Sequence, residues 1–187
     1  MNRVSSPLLF ETAYNRAHCG IGIVHLGFGA FHRAHQALFV DDFMDQSADL
    51  RWGIAAVNLR ATESVAFAGL NAASNGYVVK SMSSGGEVDY RRVRSHVKFA
   101  DWAQDSDAAE ALLALPSVHM VTITVTESGY YLDETSALNP ADPVIKDELA
   151  GGKPTSVYGY LTGALALRKA ANLGGISILC CDNIRQN

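Results

Sequence analysis

The residues Ile21-Gly22-Ile23-Val24-His25-Leu26-Gly27-Phe28-Gly29-Ala30-Phe31-His32 decide the fold. A short apolar run, of the length of a buried strand, leads into two glycines separated by one residue. Beyond them Ala34, Leu38, Phe39 and Phe43 recur at helical spacing, which predicts a helix over 32–44. The alternation repeats: 52–57 predicts a second buried strand, and 61–73 a second helix ending near Asn75-Gly76. Residues 77–99 interrupt it with a strand, a Ser83-Ser84-Gly85-Gly86 turn and further strand, an antiparallel excursion. A helix over 101–115 follows, with Asp101 as its cap and Pro116 beyond its end. Residues 120–126 are β-branched and strand-like, whereas 133–154, rich in Asp, Pro and Gly, predict a loop. An Ala/Leu-rich helix over 156–172 stops before Gly174-Gly175, and 176–181 predicts a last buried strand.

Alternating buried strands and helices specify the α/β class: an open, doubly wound, mostly parallel sheet with helices on both faces. The chain suits one domain, 20–187, preceded by an N-terminal extension, 1–19. With 48% hydrophobic and 18% charged residues it is globular, and a net charge of −4 argues against nucleic acid as a partner. Arg91, Arg92, Arg94, His96 and Lys98 alternate with apolar or small residues, the pattern of a solvated strand face. Cys19, Cys180 and Cys181 have no metal or redox spacing and predict buried, reduced thiols, hence a cytoplasmic protein. Residues 1–20 lack a signal-peptide core, and no apolar run has membrane-spanning length.

Ligands of such sheets lie at the carboxyl ends of the strands. There Gly27 permits a tight turn, Gly29 lets a pyrophosphate approach the backbone, and the following helix start offers free N–H groups. This is two-thirds of a dinucleotide-binding fingerprint, with His32 at the position of its third glycine. His32 and His35, three apart, suggest zinc, but no partner ligands stand at suitable spacing, so no metal is expected and these residues pack the helix start.

The block His25-Leu26-Gly27-Phe28-Gly29-Ala30-Phe31-His32-Arg33-Ala34-His35-Gln36-Ala37 resembles the N-terminal signature of the polyol-specific long-chain dehydrogenases, the mannitol dehydrogenase family. Residues 52–60, 124–132 and 181–187 agree with it in order. Within the family, Ala55-Ala56-Val57-Asn58-Leu59-Arg60, Gly129-Tyr130-Tyr131-Leu132 and Asp182-Asn183-Ile184-Arg185 look most like D-arabinitol 4-dehydrogenases. The resemblance implies a Rossmann-type domain, NAD in preference to NADP, and metal-independent interconversion of a sugar alcohol and a ketose. It also implies a catalytic lysine in a C-terminal helical domain, before which this chain is expected to stop. The alternatives are a cofactor-binding module without turnover and a hexuronate oxidoreductase of the fructuronate reductase type.

The resemblance assigns cofactor contacts to Gly27, Phe28, Gly29, Ala30 and Phe31, to Asn58, Arg60 and Glu63 after the second strand, and to Val125 and Thr126. Relatives selective for NAD carry an acidic pair where this chain has Thr62 and Glu63, so only half of that signal is present. Asn183 matches an asparagine that holds the substrate oxygen, where a fixed N–H donor stabilises alkoxide charge. Glu127 matches a glutamate near the active-site mouth, suited to relaying protons.

Overall fold

The computed structural model of the protein describes residues 9–72 and 75–182. Its centre is a five-stranded sheet, β2 (Ile21–Leu26), β3 (Gly53–Asn58), β6 (His96–Asp101), β7 (Met120–Ile123) and β8 (Ser177–Cys180), in the order β6-β3-β2-β7-β8. Every pairing in it is parallel. From β2 the chain builds outward through β3 to β6, then crosses back to build β7 and β8 on the other side. The connections after β2 and β7 therefore leave in opposite directions, which opens a crevice at their carboxyl ends.

Period-two alternation sends side chains of the central strands to both faces. Val24, Leu26, Ala55, Val57 and Val121 meet a helical layer: Leu113 of the 3-10 turn Ala111–Ala114 that follows α4 (Ser106–Glu110), and Tyr160 and Ala164 of α6 (Val157–Ala170). Ile23 and Ile54 meet Ala37 of α2 (Gln36–Ser47) on the opposite face. Phe28 and Ala56 pack with Phe67 of α3 (Ser64–Ala72). The caps are local: the Ser156 hydroxyl accepts from Gly159 N at 3.0 Å, and Glu148 in turn grips Ser156 through N–H and hydroxyl at 2.6 and 2.7 Å.

The antiparallel excursion is shorter than 77–99. It is a hairpin of β4 (Tyr77–Met82) and β5 (Val88–Val93), joined by β1 (Leu9–Glu11) parallel to β5 in a separate three-stranded sheet. The chain turns at Arg94-Ser95 and enters the main sheet as β6. Alternation runs unbroken through this corner in the sequence, so the pattern concealed it. The basic cluster is not a solvated face either. Arg91 pairs with Asp42 and lies over the Phe10 ring, Arg92 pairs with Glu11 at 2.7 Å, Arg94 donates to the Thr12 and Tyr14 carbonyls, and His96 is buried. Only Lys98 of the five is exposed. The arginines fasten the N-terminal segment, and the buried Asp41 completes the fastening by accepting from Thr12, Tyr14 and Arg94 N.

Other expectations change in detail. Asp101 ends β6, and Asp105 is the cap of α4, accepting from Ala108 N at 3.0 Å. The expected loop contains α5 (Pro143–Leu149), announced by the Asp142-Pro143 cap. The first helix is two, α1 (Ala30–Ala34) and α2, broken at His35. The last strand, β8, is exposed rather than buried, and the thiols are not buried: Cys180 is exposed and Cys19 and Cys181 are half-buried.

Three histidines lie in the interior, His25 on β2, His32 on α1 and His96 on β6. Burial drives His32 down to about pKa 4 and the other two well below the ordinary value. Folded, they stay neutral; unfolded, each takes a proton below roughly pH 6.5. Their contribution to stability is complete above that pH and is lost as the pH falls towards 4. Unfolding free energy from urea titrations should therefore drop between pH 7 and 5, by about 2 kcal/mol on account of His32 and further through His25 and His96. Asp41, whose pKa burial raises, offsets at most one proton of this. A stability unchanged across that interval would show that the histidines are solvated.

Candidate functional site

The crevice is a groove over the carboxyl ends of β2, β3 and β7. Its floor is the turn after β2. Gly27 has φ +91°, and a Cβ there would stand 2.6 Å from the Thr124 carbonyl oxygen, so the turn itself requires glycine. Gly29 is different. Its φ of −71° suits any residue, and a Cβ would meet nothing within 4 Å. The protein's own packing gives no reason for glycine there, and the space above it opens into the groove. The first bond of α1, Arg33 N–H to Gly29 O at 3.2 Å, leaves the amides of Ala30, Phe31 and His32 ahead of the helical ladder.

Phe28 anchors the turn from below. It is 9% exposed, and its ring meets Phe67, Phe99 and His96 edge-on at 5.6, 5.5 and 4.8 Å. Phe31 instead faces outward, 60% exposed and stacked on His35 at 4.5 Å. His35 donates from Nδ1 to Phe31 O at 2.9 Å, and among the described residues no group of three His, Cys, Asp or Glu side chains is placed to hold a metal.

Asn58, Arg60 and Glu63 form the wall beyond β3. Asn58 is buried and its amide is committed to the loop: Nδ2 donates to Arg60 O at 2.9 Å and to Asp101 Oδ1 at 3.1 Å, while Oδ1 accepts from Arg60 N at 3.1 Å. It builds the wall rather than presenting a free group. Arg60 reaches across the groove, donating to Thr126 Oγ1 at 2.9 Å, and lies 3.7 Å from Glu63. Val125 and Thr126 form the wall beyond β7.

Sequence reasoning missed Thr124, Gly129, Tyr131, Thr155 and Val157, which also line the groove. Thr155 and Val157 arrive from the start of α6, some thirty residues after β7, and carry no local motif. Thr124 was within reach, because it follows β7 directly beside the turn and its hydroxyl lies 3.3 Å from Gly27 O.

Glu127 begins a 3-10 turn, Glu127–Tyr130, and is exposed. It lines a neighbouring cavity of about 410 Å³ with Ser128, Leu132 and Asp142, which meets the groove at Tyr131. Asn183 lies outside the described residues. Asp182 before it accepts from the Tyr130 hydroxyl, and burial together with that bond raises the Tyr130 pKa. No helix among the described residues is long and apolar enough to cross a membrane.

A sequence profile of the mannitol dehydrogenase Rossmann domain matches residues 21–187. Mannitol 2-dehydrogenase of Pyrenophora tritici-repentis is 36% identical over 176 residues, 93% of this chain and 31% of that protein. D-arabinitol 4-dehydrogenase of Klebsiella pneumoniae is 36% identical over 164 residues, 88% of this chain and 36% of that one. Equal identity to the two leaves the substrate undistinguished. The structure of Pseudomonas fluorescens mannitol 2-dehydrogenase, a ternary complex with NAD and D-mannitol, superposes with a TM-score of 0.88 at 30% identity, over 96% of this chain and 37% of that one. The chain thus spans about a third of the length of these relatives. Glycine turn, parallel strand order and profile agree, and the chain belongs to the mannitol dehydrogenase family as its Rossmann domain.

Proposed function

We propose that this chain is the NAD-binding part of a polyol dehydrogenase, which moves hydride between a sugar alcohol and nicotinamide. The observation that carries the reading is Gly29: a glycine that neither its backbone angle nor its neighbours require, facing an open groove at the carboxyl ends of a parallel sheet. A position kept bare on the groove side suits the close approach of a ligand backbone, here a pyrophosphate. Glu63, at the far end of the groove, suits the ribose hydroxyls of NAD and would repel the 2′-phosphate of NADP. D-arabinitol and D-mannitol are the substrate classes that the relatives' names suggest. The base that takes the alcohol proton would come from the helical domain that the resemblance implies, with Glu127 passing the proton to solvent.

NADH should bind the 187-residue chain more tightly than NADPH, by about tenfold in Kd. Gly29→Asp should abolish NADH binding in calorimetry, because a carboxylate would stand against the pyrophosphate. Unchanged affinity in that variant would remove the cofactor from the turn. For Asn183, the measurement is single-turnover hydride transfer in the dehydrogenase carrying this chain. Asn183→Ala should slow it by roughly 10²–10³-fold, about 2.7–4 kcal/mol, by removing a donor to the developing alkoxide. Asn183→Asp should be slower still, because a carboxylate repels that charge. A wild-type rate in Asn183→Ala would reduce the residue to a turn former.

A further inference from the structure

His32 stands where a dinucleotide fingerprint has its third glycine, the one whose missing side chain lets the helix pack closely on the strand. A bulky side chain there ought to hold the helix away. The room between helix and strand is taken up by the His32 ring, which lies flat on His25 of β2, with centroids 3.3 Å apart and planes 9° from parallel. The two residues flank the turn, His25 two positions before Gly27 and His32 three after Gly29, so the stack closes a bracket one ring thick beneath the phosphate cradle.

A run of hydrogen bonds fixes both rings. The Gln36 side-chain oxygen accepts from His32 Nδ1 at 2.9 Å and from the Thr122 hydroxyl at 3.2 Å. Nδ1 thus carries the His32 proton, and Nε2 accepts from His96 Nε2–H at 2.9 Å. Thr122 has spent its proton on Gln36, so it accepts from His25 Nδ1–H at 2.7 Å. His25 Nε2 then accepts from the Thr124 hydroxyl at 2.9 Å, beside the Gly27 carbonyl. One proton serves each of the bonds to His32, Gln36 and Thr122, the Thr124 proton is shared between His25 Nε2 and the Gly27 carbonyl at 3.3 Å, and all three imidazoles are neutral. The atom left over is His96 Nδ1, buried and without a partner. In this tautomer it is a bare lone pair. The cations Arg33 of α1 and Arg16 of the N-terminal segment act on His96, and Arg33 on His32, each opposing protonation.

We propose that the His25–His32 stack, held by Gln36 and His96, positions the Gly27–Gly29 turn for the cofactor, performing by a flat ring contact what the third fingerprint glycine does by absence. The histidines and Gln36 are positioning residues, and Gln36 and His96 do not line the groove. The inference rests on the reading that the turn holds the dinucleotide.

The test is NADH titration of the 187-residue chain at pH 7.5, with melting temperature and amide hydrogen exchange at residues 27–29 measured alongside. His32→Leu, bulky but not flat, should weaken NADH binding by about tenfold and speed exchange at the turn. His32→Phe, which restores the flat ring but none of the hydrogen bonds, should bring affinity back to within about threefold of wild type. Gln36→Met, which removes the shared acceptor at a distance from the groove, should weaken binding by roughly three- to tenfold and keeps the test open if His32→Leu does not fold. Wild-type affinity in both His32→Leu and Gln36→Met, or equal loss in His32→Leu and His32→Phe, would overturn the proposal. If Gly29→Asp abolishes binding while these variants bind normally, the positioning role alone fails. If Gly29→Asp also binds normally, the dinucleotide reading of the turn fails first.

Discussion

At the end of β2 the chain must reverse direction within van der Waals distance of the strand beside it. Gly27 can do so because it tolerates a positive φ and has no side chain to meet the Thr124 carbonyl 2.6 Å from where a Cβ would stand. Much follows from that contact. It lets β2 and β7 remain paired up to Leu26 and Ile123. It delivers Gly29 and the first amides of α1 to the rim of the sheet, and it places Thr124 where a hydroxyl can touch both the turn and a buried imidazole. Substituting Gly27 would separate two central strands, whereas substituting Gly29 would leave the fold untouched and fill the groove.

Beneath the turn the core divides by polarity. The face towards α6 is hydrocarbon and aromatic, built from Val24, Leu26, Val57 and Tyr160. The face towards α1 and α2 carries histidines, threonines and a glutamine whose bonds each have a donor and an acceptor assigned. Such a run is specific where its members are satisfied and costly where one is not, as at His96 Nδ1. It ties β2, α1, β6 and β7 together with directional contacts, where apolar packing alone would tolerate small shifts of a short helix. A five-residue helix following a tight turn is the element that most needs such restraint.

The centre of the main sheet was legible because β2 and β3 are buried on both faces and appear as apolar runs bounded by glycine or polar residues, 21–26 and 53–58. The excursion was legible as a hairpin but not in extent, since Val93, Ser95 and Val97 keep the strand alternation across a corner made by tertiary bonds from Ser95 to Ala37 O and from Arg94 N to Asp41. Arg91, Arg92 and Arg94 suggested a solvated face because their partners, Asp42, Glu11 and Thr12, are distant in sequence. In the groove, Gly27 and Gly29 were visible as a motif, and Arg60 and Glu63 by their place after a strand. Asn58 was visible too, though not that its amide would be consumed by its own loop. Thr155 and Val157 were invisible, because only the path of the chain through α5 brings them back to the groove.

β8 is one of the two outer strands of the main sheet, and it differs from its neighbours in exposing alternate and adjacent side chains alike: Ile178 and Leu179 are 40% and 45% exposed. Among the described residues no strand pairs with its free side. A row of open N–H and C=O groups flanked by aliphatic side chains is a template for strand addition by another chain. Of the two outer strands of the main sheet, β8 is the one that sets exposed aliphatic side chains beside such groups. Self-association at high concentration would begin along that edge, two strands out from β2.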